Sequence, residues 1–149
     1  MVNVGVKTRI AIGADARGPL TDALLAALEE RGADLLRYGV LGDGSTKWAS
    51  IGRAVGEAVS SGAAQSGVVC CWTGTGVSMA ANKVAGVRAA LCFDAATAVG
   101  ARRWNDANVL ALSLRLTAPA VGLEILSAFL GASPSDDPDD RSEIAKLDR

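Results

Sequence analysis

The residues of this chain best suited to chemistry run together as Cys70-Cys71-Trp72-Thr73-Gly74-Thr75-Gly76-Val77-Ser78. Where such a string leaves a strand and opens a helix, successive backbone N–H groups and the helix dipole can hold an anion, and glycine lets that backbone come close to it. A thiol at the same helix N-terminus has its pKa lowered, so that it is partly thiolate near neutrality. The string lacks the lysine of a P-loop and its spacing is not GxGxxG, so it does not by itself indicate a nucleotide. A plain strand-to-helix turn, with Cys71 as a small buried hydrophobe, is the competing structural account. Cys70 falls on the opposite face of the strand and keeps that account.

The elements that must position this string alternate regularly. Arg9 to Ala14 reads as a strand, and Pro19 opens a helix whose Leu20, Leu24, Leu25 and Leu28 share a face before Gly32 ends it. Asp34 to Tyr38 reads as a second strand and Trp48 to Ser61 as a second helix. Gly67 to Trp72 is an unbroken apolar run suited to a central parallel strand, and Val77 to Val84 follows as a helix. Arg88 to Phe93, Ala95 to Arg103, Asn108 to Leu112 and Pro119 to Leu130 continue the alternation as strand, helix, strand and helix. Parallel strands need helical crossovers, so the expected object is an α/β fold: an open five-stranded parallel sheet with helices on both faces and its ligand outside the carboxyl ends of the strands. Residues 1–132 form this domain. Residues 133–149 begin as the acidic, proline-containing linker Ser133 to Asp140, and Ser142 to Leu147 suits a short helix, either a solvated tail or an arm reaching a partner subunit.

Composition narrows the functions. One domain of 149 residues is half hydrophobic and carries a net charge of −1, which leaves no electrostatic footprint for nucleic acid or an anionic membrane. No apolar run approaches the length of a membrane-spanning helix. There are no histidines, which removes imidazole as a base, proton shuttle or metal ligand. Three cysteines, Cys70, Cys71 and Cys92, with no secretory segment, point to reduced thiols in a cytoplasmic protein.

The longer strings Gly74-Thr75-Gly76-Val77-Ser78-Met79-Ala80-Ala81-Asn82-Lys83 and Asn105-Asp106-Ala107-Asn108-Val109 resemble the type B ribose-5-phosphate isomerases and their galactose-6-phosphate isomerase relatives. The likeness runs from Ile10 to about Leu130. It implies a Rossmann-like three-layer α/β/α protomer, a homodimer or dimer of dimers with sites at the subunit interface, and interconversion of aldose and ketose phosphates with no metal or other cofactor. It implies Cys71 as the base, with the loop from Thr73 through Gly74, Thr75, Gly76 and Val77 to Ser78 stabilising an enediolate, and Trp72 beside it. Asp15 matches a residue that binds sugar hydroxyls, Asn105 a substrate-binding asparagine, and Arg115 an arginine that binds substrate or its phosphate. Ribose 5-phosphate is the substrate this resemblance names first.

The chain departs from that pattern at several positions. Ala16 and Trp104 stand where the family has histidines, the latter a residue thought to open the sugar ring, and Lys47-Trp48-Ala49 replaces an Asp-Tyr-Pro segment. Trp48, Trp72 and Trp104 therefore all fall at positions that face the family's active site, either narrowing the sugar pocket or packing a subunit interface. Arg17 follows the first lost histidine and offers a bidentate fork for phosphate; Arg141 lies one residue from a phosphate-binding arginine of the family. Two alternatives follow: an isomerase for an open-chain tetrulose phosphate, and a catalytically silent sugar-phosphate-binding subunit.

Overall fold

The computed structural model describes residues 5–148. The outermost parts of the division into 1–132 and 133–149, residues 1–4 and 149, lie outside the described residues. In chain order the elements are β1 (Arg9–Ala14), α1 (Pro19–Glu30), β2 (Asp34–Gly39), α2 (Trp48–Ser60), β3 (Ser66–Cys71), α3 (Thr75–Asn82), β4 (Ala89–Leu91), α4 (Ala95–Asn105), β5 (Val109–Ser113), α5 (Pro119–Gly131) and α6 (Pro138–Leu147). The strands form one five-stranded, all-parallel sheet in the order β2-β1-β3-β5-β4. On one face Leu24 and Leu28 of α1, Ala98 of α4 and Phe129 of α5 pack on Ile12, Cys70 and Leu110; on the other, Val55 of α2 and Val77 of α3 pack on Ala11, Val69 and Cys71. The Rossmann-like three-layer α/β/α arrangement expected from the periodicity and the resemblance is the observed one. No described helix is long and apolar enough to cross a membrane.

The differences from the expected boundaries have local causes. Helix α3 starts at Thr75 and not at Val77, because Gly74 takes the left-handed conformation, φ 78°, and acts as its N-cap. Strand β4 is three residues long and not six, because it is an edge strand bonded only to β5 and the chain turns at Asp94, whose carboxylate caps α4 through the Thr97 N–H. The last helix begins at Pro138 inside the supposed linker, since Asp137 accepts a bond from the Asp139 N–H at 2.8 Å and proline is favoured at the first helical position. This tail packs against α4 of its own protomer, with Asp148 paired to Arg88.

Gly74 carries the turn that begins α3. A Cβ there would lie 2.9 Å from the backbone carbonyl carbon of Leu112 on β5, in a conformation that L side chains rarely adopt. Gly32, which follows α1 with φ 74°, has the same conformation in open space. Gly32→Ala is therefore expected to cost about 1 kcal/mol, the conformational penalty alone, and Gly74→Ala about 3 kcal/mol, because backbone on β5 must also move. Urea unfolding of the two variants against the parent chain measures the difference.

Candidate active site

The chain leaves β1 toward β2 on one side and returns to β3 on the other, so the carboxyl ends of β1 and β3 flank the switch point where open α/β sheets bind ligands. Asp15 follows β1 directly and its N–H donates to the Cys70 carbonyl at 3.3 Å. Cys71 closes β3. Between them opens a cavity of about 450 Å³, walled by Asp15 and Cys71, by Trp72 and Thr73 of the loop, and by Thr75, Gly76 and Met79 of α3, with Trp48 of α2 opposite.

The loop is held by β5, the neighbouring strand. The Trp72 carbonyl accepts bonds from the fully buried Ser113 hydroxyl and from the Arg115 N–H, both at 3.0 Å, and the Cys71 carbonyl accepts from the Leu114 N–H at 3.0 Å. The Thr73 and Thr75 hydroxyls bond to each other at 2.7 Å. The first bond of α3 runs from the Ser78 N–H to the Gly74 carbonyl at 3.3 Å, and no side chain caps the helix. The N–H groups of Thr75, Gly76 and Val77 are thus uncommitted donors in the first turn, where the dipole favours negative charge. The Trp48 indole lies directly on Gly76: a Cβ at that glycine would stand 2.7 Å from Trp48 Cε3.

The two adjacent cysteines differ in environment. Cys70 faces the α1/α5 core and burial, followed by the nearby Cys71 and Asp15, pushes its thiol up to about 12. Cys71 is 5% exposed and forms part of the cavity wall. Cys92 is buried and raised to about 11 by burial and then by Asp94. Burial also raises the Asp15 carboxyl above its ordinary value, opposed by a hydrogen bond with its own backbone.

The structure gathers Asp15, Cys71, Trp72, Thr73, Thr75 and Gly76 around one cavity, with Gly74, Val77 and Ser78 completing the loop and first turn. It does not gather the rest within one protomer. Arg17 is taken up by Asp22 at 2.9 Å on the exposed start of α1. Trp104 and Asn105 line a separate cavity of about 720 Å³ beside β4, where the Trp104 ring packs on Gly100. Arg141 sits on α6 and pairs with Asp136 at 3.2 Å. Arg115 is exposed just after β5, and its guanidinium makes no ion pair among the described residues. No lysine or arginine is among the residues lining the Cys71 cavity. The expected site lacked Met79 and Ser113. Met79 was findable, since it stands one helical turn beyond Thr75; Ser113 was not, because its partner is 41 residues away.

Residues 10–147, tail helix included, match the family model described as Ribose/Galactose Isomerase. Ribose-5-phosphate isomerase B of Escherichia coli (strain K12) is 37% identical over 125 residues, covering 83% of this chain and 84% of its own. D-erythrulose-4-phosphate isomerase of Pectobacterium atrosepticum is 35% identical over 125 residues, covering 83% of this chain and 82% of its own. The solved structure of Clostridium thermocellum ribose-5-phosphate isomerase B aligns with a TM-score of 0.87 at 34% identity, over 95% of each chain. A parallel sheet of this order with these relatives defines an enzyme of the sugar-phosphate isomerase class. The chain belongs to the ribose/galactose isomerase family.

Two outcomes are expected from the environments of these groups. A maleimide at pH 8, with the products mapped by mass spectrometry, labels Cys71 and leaves Cys70 and Cys92 unmodified, since only Cys71 lines an open cavity. For Asp15 the folded state holds the carboxyl proton more tightly than the unfolded chain does, so ionisation at neutral pH opposes folding and the penalty disappears as pH falls below about 3.8. Asp15→Asn accordingly raises the thermal midpoint at pH 7, and the gain over the parent vanishes in melts at pH 3.

Proposed function

We propose that the protein interconverts an aldose phosphate and its ketose isomer, of the ribose 5-phosphate/ribulose 5-phosphate type, with Cys71 as the base. The observation that carries this reading is that one crevice is walled by both Cys71 and the uncapped first turn of α3, where Thr75 and Gly76 line it. The Cys71 thiolate takes the proton from the carbon beside the carbonyl, the electrons of that C–H bond form a C=C bond, and the carbonyl π electrons move onto oxygen. The resulting enediolate is met by the Thr75, Gly76 and Val77 amides and by the Thr73 hydroxyl, fixed donors that need no reorganisation as charge develops. A proton passes between the two oxygens, and the Cys71 thiol returns its proton to the neighbouring carbon. One carbon is oxidised and its neighbour reduced, so no external redox partner is required.

Asp15 accepts hydrogen bonds from sugar hydroxyls, and its desolvation is the cost of placing a carboxylate there. Arg115 is the first candidate for phosphate, with Arg17 and Arg141 available if their exposed ion pairs open. A homodimer or dimer of dimers suits this reading: Asn105 and Arg115 match the family's substrate residues and Trp104 stands where it has a histidine, yet none of the three lines this protomer's Cys71 cavity, so a second subunit supplies them across the interface.

A second reading concerns chain length. The chain contains no histidine, and Trp104, in the position of the family's ring-opening residue, offers only an N–H donor and no basic nitrogen. A short, open-chain tetrulose phosphate avoids the need for ring opening, and a relative named as a D-erythrulose-4-phosphate isomerase supports it.

Proton exchange at C2 in deuterated water, followed by NMR over aldose and ketose phosphates of four to six carbons, tests both readings. Cys71→Ala is expected to lower exchange by about 10²–10⁴-fold while phosphate-ligand binding persists. Trp104→His is expected to raise turnover of a cyclic aldose phosphate and leave an open-chain tetrulose phosphate little changed. Full exchange in Cys71→Ala removes the base assignment; ligand binding with no exchange in the parent chain identifies a silent subunit.

A further inference from the structure

Asp106 is the single non-glycine residue with positive φ among the described residues, at 46°. It ends α4 immediately after Asn105, and the left-handed conformation is disfavoured for any residue with a Cβ, although aspartate tolerates it better than most. Two arginines hold it there. Arg102 Nη1 donates to one carboxylate oxygen at 3.3 Å, Arg88 Nη2 donates to the other at 3.3 Å, and Arg88 Nε donates to the Asp106 carbonyl at 2.8 Å. The remaining edge of the Arg88 guanidinium is bound to the end of the chain: Nη1 donates to both carboxylate oxygens of Asp148, at 3.0 and 3.1 Å.

Charge explains why both ends are needed. Asp106 alone cannot neutralise Arg88 and Arg102, and the Arg88 side chain is only 15% exposed. Asp148 completes a quartet of two cations and two anions, and its loss leaves a largely buried guanidinium short of a counter-charge. Helix α6 buries none of its own side chains, and its other ion pairs, Arg141 with Asp136 and Lys146 with Glu143, stay within the tail. Leu147, the residue before Asp148, forms part of the wall of a cavity of about 400 Å³ together with Arg88 and Asn105.

We propose that Arg88 and Asp148 are positioning residues for the isomerase site: the docked end of α6 holds Asp106 in its left-handed turn through Arg88, and that turn sets the placement of Asn105. The proposal rests on the reading above in which Asn105 contacts substrate. The tail of the chain is then a latch, and the enzyme's affinity for sugar phosphate depends on whether the latch is closed.

Asp148→Asn, Asp148→Glu and Asn105→Ala in the full-length chain test this, with amide hydrogen exchange and steady-state kinetics on the sugar phosphate that the exchange panel identifies. The informative amides are those of Asp106 and Ala107, which donate to the Arg102 and Ala101 carbonyls at 3.2 and 3.0 Å. In Asp148→Asn these two amides are expected to exchange about tenfold faster, and KM to rise about fivefold with kcat unchanged. Asp148→Glu restores both properties because it keeps the charge. In the Asn105→Ala background the further change Asp148→Asn adds nothing to KM. Unaltered exchange at Asp106 and Ala107 in Asp148→Asn overturns the latch, as does a KM effect that is fully additive with Asn105→Ala. If Asn105→Ala leaves KM unchanged, the assignment of Asn105 to the substrate site is what fails, and the exchange result alone then decides whether the tail holds the turn.

Discussion

Burial of β3 on both faces and pairing along both edges constrains everything around the Cys71 cavity. The strand lies between β1 and β5, with α1 and α5 over one face and α2 and α3 over the other, so Gly67 to Cys71 are buried and the crevice opens where the chain leaves the carboxyl end. Alternation along the strand then separates two chemically identical thiols: Cys70 enters one core and loses its acidity to burial, whereas Cys71 closes the strand on the other side, next to the crevice. Because β1 ends beside it, Asp15 is delivered to the same opening by the Cys70 carbonyl that receives its N–H.

No lysine or arginine is among the residues that line the crevice. Its donors are the first amides of α3 and two hydroxyls, held in place by β5 through Ser113 and by the fit of Gly74 against the Leu112 backbone. Neutral, fixed donors stabilise a charge that appears only during reaction without attracting a counter-ion in the resting state. Asp15 adds a carboxylate to the same wall, where burial raises it above its ordinary value and its ionisation at neutral pH costs stability. Trp48 completes the enclosure from α2, and it can come so close only because position 76 has no side chain.

The second polar centre, around Asp106, has the opposite character. There the charges are opposed and matched, two guanidiniums against two carboxylates, and Arg102 is further held by the Phe129 ring 5.5 Å away. It joins the end of α4, the start of β4 and the end of α6, and since α6 has no buried side chains of its own, directional charge-assisted bonds do for the tail what apolar packing does elsewhere.

Much of this was legible in the chain itself. The number, kind and order of the elements through α5 followed from apolar spacing and from glycine and proline stops, because these signals act within one turn or one strand. The string from Cys71 to Ser78 announced a strand-to-helix turn for the same reason, and the strand alternation already set Cys70 apart from Cys71. What remained was decided by contacts between residues far apart in sequence. Helix α3 begins at Thr75 because Gly74 meets β5, β4 is cut short because it is an edge, and the tail folds back because Arg88, 60 residues before Asp148, presents it a free guanidinium edge. Arg17 is turned to Asp22, and Trp104, Asn105 and Arg141 are carried to other surfaces of the protomer, since their side chains follow the helices that bear them. Local propensity specifies which backbone forms and which face is apolar. Only the packed sheet decides which of the polar residues so produced meet at one opening.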